Sequence, residues 1–190
     1  MMKHFATVFE DTLRKCTQAT TRLILKPGAN CVFRPKRPVP VTALKVVKDE
    51  LVRLGQMDVL QLVTYSKWAA PIVVIRKVNR SIGICADFST ELNSSLEANH
   101  HPLPVIETFF TILNDGKFFA YLQVEVESES RELLTINTHC GLFQYTRLPF
   151  GIRTAPSIFQ HIMGSMISGL VDTAAYLDDI IVVGESEEEL

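Results

Sequence analysis

The segment "YLDDIIVV" sets Asp178 and Asp179 side by side in an apolar frame. Neighbouring carboxylates among Leu, Ile and Val are costly to hold as charges unless a cation sits against them. Hard oxygen ligands of this kind suit a divalent ion such as Mg²⁺. A complete site of that type takes a third carboxylate from another strand. Upstream, "RLPFGIRTAPSIFQ" holds Phe150, Gly151 and Arg153 ahead of a helical run. Gly151 lets backbone approach another group closely, and Arg153 puts a cation near a helix start. A third feature is basic: "KPGANCVFRPKRPVP" clusters Arg34, Lys36 and Arg37. Such a cluster suits a phosphate-contacting arm; a solvated linker is the plainer reading. Plainer readings exist elsewhere too. Asp pairs are common at surface turns, Met163 and Met166 at helical spacing read as core, and His100, His101, His139 and His161 show no ligand spacing.

The elements that must position these residues follow from periodicity. Residues 1–40 read as an extended basic N-terminal arm or linker, because Pro27, Pro35, Pro38 and Pro40 each fix φ and remove a donor. After Pro40, Val41, Leu44, Val47, Leu51 and Leu54 recur at helical spacing and Gly55 offers a stop. "APIVVIRK" and "SIGICADF" read as the strands of a hairpin. "HHPLPVIETFFTILNDG" reads as a helix, and "YLQVEVES" as a half-exposed strand by its alternation. "APSIFQHIMGSMISGL" reads as an amphipathic helix with Pro156 in its first turn. "DTAAYLDDIIVVG" reads as a hairpin with the Asp pair at its tip. Ser186 and Glu189 make a capping box for a helix that the chain does not complete. Residues 41–190 are therefore expected to form an α+β unit truncated at its C-terminus.

The chain has 190 residues, 47% hydrophobic and 21% charged, enough for one core or two small ones. No apolar run approaches a membrane span, no secretory leader is evident, and four scattered cysteines read as reduced thiols. An intracellular protein, cytoplasmic or nuclear, is expected. The net charge of -2 hides a polarity. Residues 1–80 carry 15 Lys/Arg against 5 Asp/Glu, and residues 81–190 carry 4 against 16. A basic half facing a polyanion fits this balance, as does mutual neutralisation on folding.

In order along the chain, "FRPKRPVP", "YSKWAAPIVVIRK", "ICADFSTELN", "HPLP", "ESRELLTINTH" and "LPFG…AP…FQ…YLDDIIV" resemble the reverse transcriptase region of gypsy-type LTR retrotransposon pol polyproteins, from about Val32 to Glu189. The resemblance implies the fingers and most of the palm of a right-hand polymerase, with thumb and RNase H absent. It implies RNA-directed DNA synthesis on a primer–template with two Mg²⁺ ions. By matching positions, Asp178 and Asp179 are metal-binding catalytic aspartates. Phe150, Gly151 and Arg153 belong to the nucleotide and template contact region, and Tyr121 crowds the sugar 2′ position. Lys77, or Arg76, is a fingers cation for the triphosphate. No membrane partner is implied, and oligomeric state is left open.

Two departures matter. In the family the strand before "AYLQVEV" carries an aspartate, whereas Gly116-Lys117-Phe118-Phe119 here runs straight into Ala120-Tyr121. About seven residues, roughly 23 Å of extended strand, are absent, and the third carboxylate with them. Glu125 and Glu127 follow Tyr121, where the family aspartate precedes it. Gly83 also stands where the family has a triphosphate-clamping arginine, and Arg80 where it has a turn glycine. The expected protein is thus a polymerase by descent that is inactive as written. The alternatives are a nucleic-acid-binding remnant without chemistry, or a decayed or mis-spliced fragment with no cellular role.

Overall fold

In the computed structural model of the chain, residues 14–76, 82–98, 122–169, 173–176 and 179–182 are described. Two compact units are formed. One comprises residues 20–98 and 125–155; the other comprises 1–19, 99–124 and 156–190.

The first unit is organised by a five-stranded sheet in the order β2-β7-β6-β3-β4. Strand β1 (Arg14–Thr21) precedes helix α1 (Val41–Gln56), and β2 (Leu60–Val63), β3 (Ala70–Arg76) and β4 (Ile82–Ala86) follow. A 3₁₀ turn (Phe88–Thr90) and a one-turn helix α2 (Leu92–Ser95) come next. Then come β5 (Leu122–Val126), a one-turn helix α3 (Ser128–Arg131), β6 (Thr135–Thr138) and β7 (Gly141–Tyr145). Strands β3 and β4 form the expected antiparallel hairpin, Ile72 opposite Ala86 and Arg76 opposite Ile82. Strand β6 joins β3 in parallel, and β7 pairs antiparallel with both β6 and β2.

Helix α1 forms where periodicity predicts it, but its buried stripe is Ala43, Val47 and Leu51, with Val41 fully outside. Gly55 does not stop it. The helix runs on to Gln56, and the left-handed residue just beyond is Asp58, at φ 53°. Asp tolerates that conformation better than most residues because its short polar side chain bonds locally. The core beneath collects Val47, Leu51, Ile72, Leu134 and Ile136, with Phe88 meeting Tyr145 edge to face at 6.4 Å between centroids.

The arm differs from expectation. Arg14–Thr21 is a strand, β1, paired with β5 in a two-stranded sheet. Its sequence, "RKCTQATT", has too little apolar alternation to announce a strand; the partner that makes it one lies about a hundred residues away. Beyond it the chain is extended, as the prolines require, yet it is tied to the body. Lys26 N–H donates to Ser95 O, Glu97 N–H to Ile24 O, and Arg34 N–H to Ala69 O. A free linker it is not. The strands β2, β6 and β7 also went unread in the sequence. The β6–β7 turn, His139-Cys140, closes through Thr138, whose hydroxyl accepts from Cys140 N–H at 3.0 Å and donates to Gly141 O at 2.9 Å. Gly141 at φ 117° supplies the backbone that turn needs.

In the second unit, helix α4 (Ala155–Met166) buries Ile158, Phe159, Ile162 and Met163, while Met166 is half-exposed. Hairpin β8 (Thr173–Tyr176) and β9 (Asp179–Val182) pairs Tyr176 with Asp179, as predicted. The predicted helix at "HHPLPVIETFFTILNDG", and the capping box at Ser186, lie outside the described residues. Strand β5 alternates as expected, with Val124 and Val126 buried.

Leu51 is 2% exposed. Leu51→Ala is expected to cost about 2–5 kcal/mol, read as a fall in the urea midpoint with unchanged slope.

Candidate functional site

The short segment after β4 is the meeting point of the site. It opens with Asp87, whose carboxylate accepts from Ser89 Oγ and from Arg37 Nη2, each at 2.5 Å. Four residues on, Glu91 takes Arg34 through both carboxylate oxygens, with Nε at 2.8 Å from Oε2. Two of the three basic residues of the arm are therefore already engaged by carboxylates, though their side chains keep 48% and 45% of their exposure. Lys36 is exposed. The Ser89 hydroxyl first, and the Arg37 guanidinium second, hold the Asp87 carboxyl below its ordinary value of 3.8.

The segment also holds the Phe150–Arg153 turn. Asn93 Nδ2 donates to Gly151 O at 2.8 Å, and Arg153 N–H donates to Asn93 Oδ1 at 2.8 Å. Gly151 sits at φ 92°, and a Cβ there would lie 3.4 Å from Ala86 O and 3.8 Å from the Phe88 ring. The conformation demands glycine, while a Cβ would meet these neighbours at ordinary contact distance. Ile152 between is buried. Phe150 is 82% exposed and Arg153 exposed, so the turn presents a ring and a guanidinium outward over a packed base. Phe150, Gly151 and Arg153 are near neighbours in sequence, whereas Asn93 joins them only in the fold. The only available signal was an Asn beside a buried Leu in an otherwise polar stretch.

Lys77, Tyr121 and Asp178 lie outside the described residues. Asp179 is the first residue of β9, opposite Tyr176. Arg76 ends β3, and Gly83 lies opposite Ile75 in β4. Glu125, a carboxylate of β5, accepts from Arg131 Nη2 at 2.9 Å. Among the described residues no group of three or more His, Cys, Asp or Glu is placed to hold a metal ion. Nor, among them, is any helix long and apolar enough to cross a membrane.

Residues 79–190 match the family described as reverse transcriptase (RNA-dependent DNA polymerase), and the chain belongs to that family. Family members generally use divalent metal ions. An uncharacterized protein of Caenorhabditis elegans is 44% identical over 198 aligned residues, covering 100% of this chain and 16% of that protein. The retrovirus-related Pol polyprotein from transposon 412 of Drosophila melanogaster is 29% identical over 161 residues, covering 77% of this chain and 12% of its own. The chain thus spans less than a fifth of these curated relatives. The foamy viral protease-reverse transcriptase, solved in complex with RNA/DNA hybrid, superposes with a TM-score of 0.77 over 99% of this chain and 26% of its own, at 15% identity. The fold is accordingly the fingers–palm portion of a right-hand polymerase.

Two outcomes are expected from this geometry. Gly151→Ala should destabilise the first unit by about 1–2 kcal/mol, measured by denaturant unfolding. Asp87 stabilises the fold through its depressed folded value, so its contribution is complete above the unfolded carboxylate range near pH 4 and is lost as pH falls below it. The stability gap between wild type and Asp87→Asn should therefore be present at pH 7 and shrink by pH 3.

Proposed function

We propose that this chain is the fingers–palm part of a gypsy-type retrotransposon Pol polyprotein, an RNA-directed DNA polymerase by descent. In this form it holds a primer–template without extending it. The observation that carries the reading is the Phe150–Arg153 turn, in which the exposed ring, the left-handed glycine and the cation of the family's nucleotide and template contact region stand on one fixed loop. The arm adds a sequence-independent phosphate contact, strongest at Lys36 because Arg34 and Arg37 share their charge with Glu91 and Asp87.

Magnesium is the family's ion, and Asp178 and Asp179 are the carboxylates that the pattern supplies for it. Among the described residues no group of three or more His, Cys, Asp or Glu is placed to hold a metal ion, and Glu125 accepts from Arg131. The alignment of 198 positions with the C. elegans relative over this chain's 190 residues leaves about eight of its positions without a counterpart here, a length comparable to the segment that the family pattern has before Ala120. A preorganised electrostatic partner lost from such a site typically costs about 10²–10³ in rate.

Two measurements test the reading on the 190-residue chain. Binding of a fluorescein-labelled RNA/DNA hybrid, followed by anisotropy, should weaken about forty-fold between 50 and 200 mM salt if about three phosphates are neutralised. Lys36→Gln should lower the salt slope by about one. Binding indifferent to salt would overturn the phosphate contact. With deoxynucleotides and Mg²⁺ no primer extension is expected; extension abolished by Asp178→Asn would overturn the inactivity.

A further inference from the structure

We propose that Asn93 is the positioning residue of the Phe150–Arg153 turn, the group that fixes the outward ring and guanidinium in the orientation from which they meet nucleic acid. The inference rests on the preceding reading for what the turn contacts, but the staple itself stands on geometry alone.

A turn with glycine at φ 92° leaves its peptide groups pointing away from any regular ladder, and each must find a partner. The Gly151 carbonyl needs a donor, and the Arg153 amide needs an acceptor. Asn93 meets both with one planar carboxamide, at 2.8 Å each. The chemistry also fixes which way the amide faces, because only NH₂ can donate to a carbonyl and only its oxygen can accept from N–H. Two bonds from one rigid plane to residues 151 and 153 set both the spacing and the rotation of the turn; either bond alone would leave a hinge.

The Asn93 backbone is itself held. Leu92 before it is buried, Glu91 is gripped by Arg34, and Ser94 Oγ donates back to Glu91 O at 2.8 Å. Ala86 O and the Phe88 ring support Gly151 from the other side. No other side chain of similar reach supplies the same pair. Ala supplies neither bond. Asp keeps the acceptor for Arg153 N–H but turns a second oxygen toward the Gly151 carbonyl. Because Asn93 is only half-buried, water takes up much of the lost bonding in a variant, so the fold survives while the turn loosens.

The test compares wild type, Asn93→Ala and Asn93→Asp by thermal unfolding, amide hydrogen exchange across residues 150–154, and anisotropy with the fluorescein-labelled RNA/DNA hybrid. The melting temperatures should stay close together. Exchange at the Arg153 amide should rise tenfold or more in Asn93→Ala and remain near wild type in Asn93→Asp. Affinity should fall about tenfold in both, because each loses the Gly151 bond. Unchanged Arg153 exchange in Asn93→Ala would overturn the staple, whatever the hybrid does. Faster exchange with unchanged affinity would overturn the positioning role. Failure of the wild type to bind the hybrid would instead overturn the nucleic-acid reading and with it the orientation toward nucleic acid, while the exchange result still decides the staple.

Discussion

One carboxamide holds the outward turn of this protein in place. Backbone polar groups in a tight turn have no ladder to join, and a turn whose peptides go unpaired collapses toward water. Asn93 satisfies Gly151 and Arg153 together, and Gly151 in return permits the left-handed conformation of the turn beside the Ala86 carbonyl. Each requirement depends on the other. A side chain at position 151 would be strained by its φ, and a different residue at 93 would leave at least one of two peptide groups without its partner.

The same stretch, Asp87–Asn93, ties the N-terminal arm to the body. Asp87 and Glu91 take Arg37 and Arg34, so the arm, the end of β4 and the turn are fastened to one short, partly helical span. That span follows directly from the β3–β4 hairpin, whose five-residue register fixes its starting point. Disturbing the hairpin therefore disturbs both basic and aromatic features at once.

The charge polarity of the chain is partly consumed in this way. Basic residues of the first half meet carboxylates of the second in the pairs Arg34–Glu91, Arg37–Asp87 and Arg22–Glu129. Exposed pairs of this kind contribute little stability each, but they set local direction. They turn guanidinium groups toward the body and leave Lys36 as the more open cation of the cluster. The pairing Glu125–Arg131 acts likewise on the acidic side. A carboxylate that already accepts from a guanidinium is a poor candidate for a metal ligand.

Periodicity and turn chemistry, both local, were legible in the chain itself. They placed α1, the β3–β4 hairpin, β5, α4 and the β8–β9 hairpin, and the ordered motifs identified the polymerase family. Each of these rests on residues within a few positions of one another, where sequence spacing maps directly onto one face of a helix or strand. What tertiary structure alone decided is non-local. Arg14–Thr21 becomes a strand only because β5 pairs with it, and β2 and β7 take shape as mutual partners. The helix runs past Gly55 to Gln56, and the left-handed residue after it is Asp58. Arg34 and Arg37 are ion-paired rather than open, and Asn93 is the staple of a turn 58 and 60 residues away along the chain. No local rule reports such partners, because a hydrogen bond between distant residues is determined by the packing that brings them together and leaves no periodic trace in either segment.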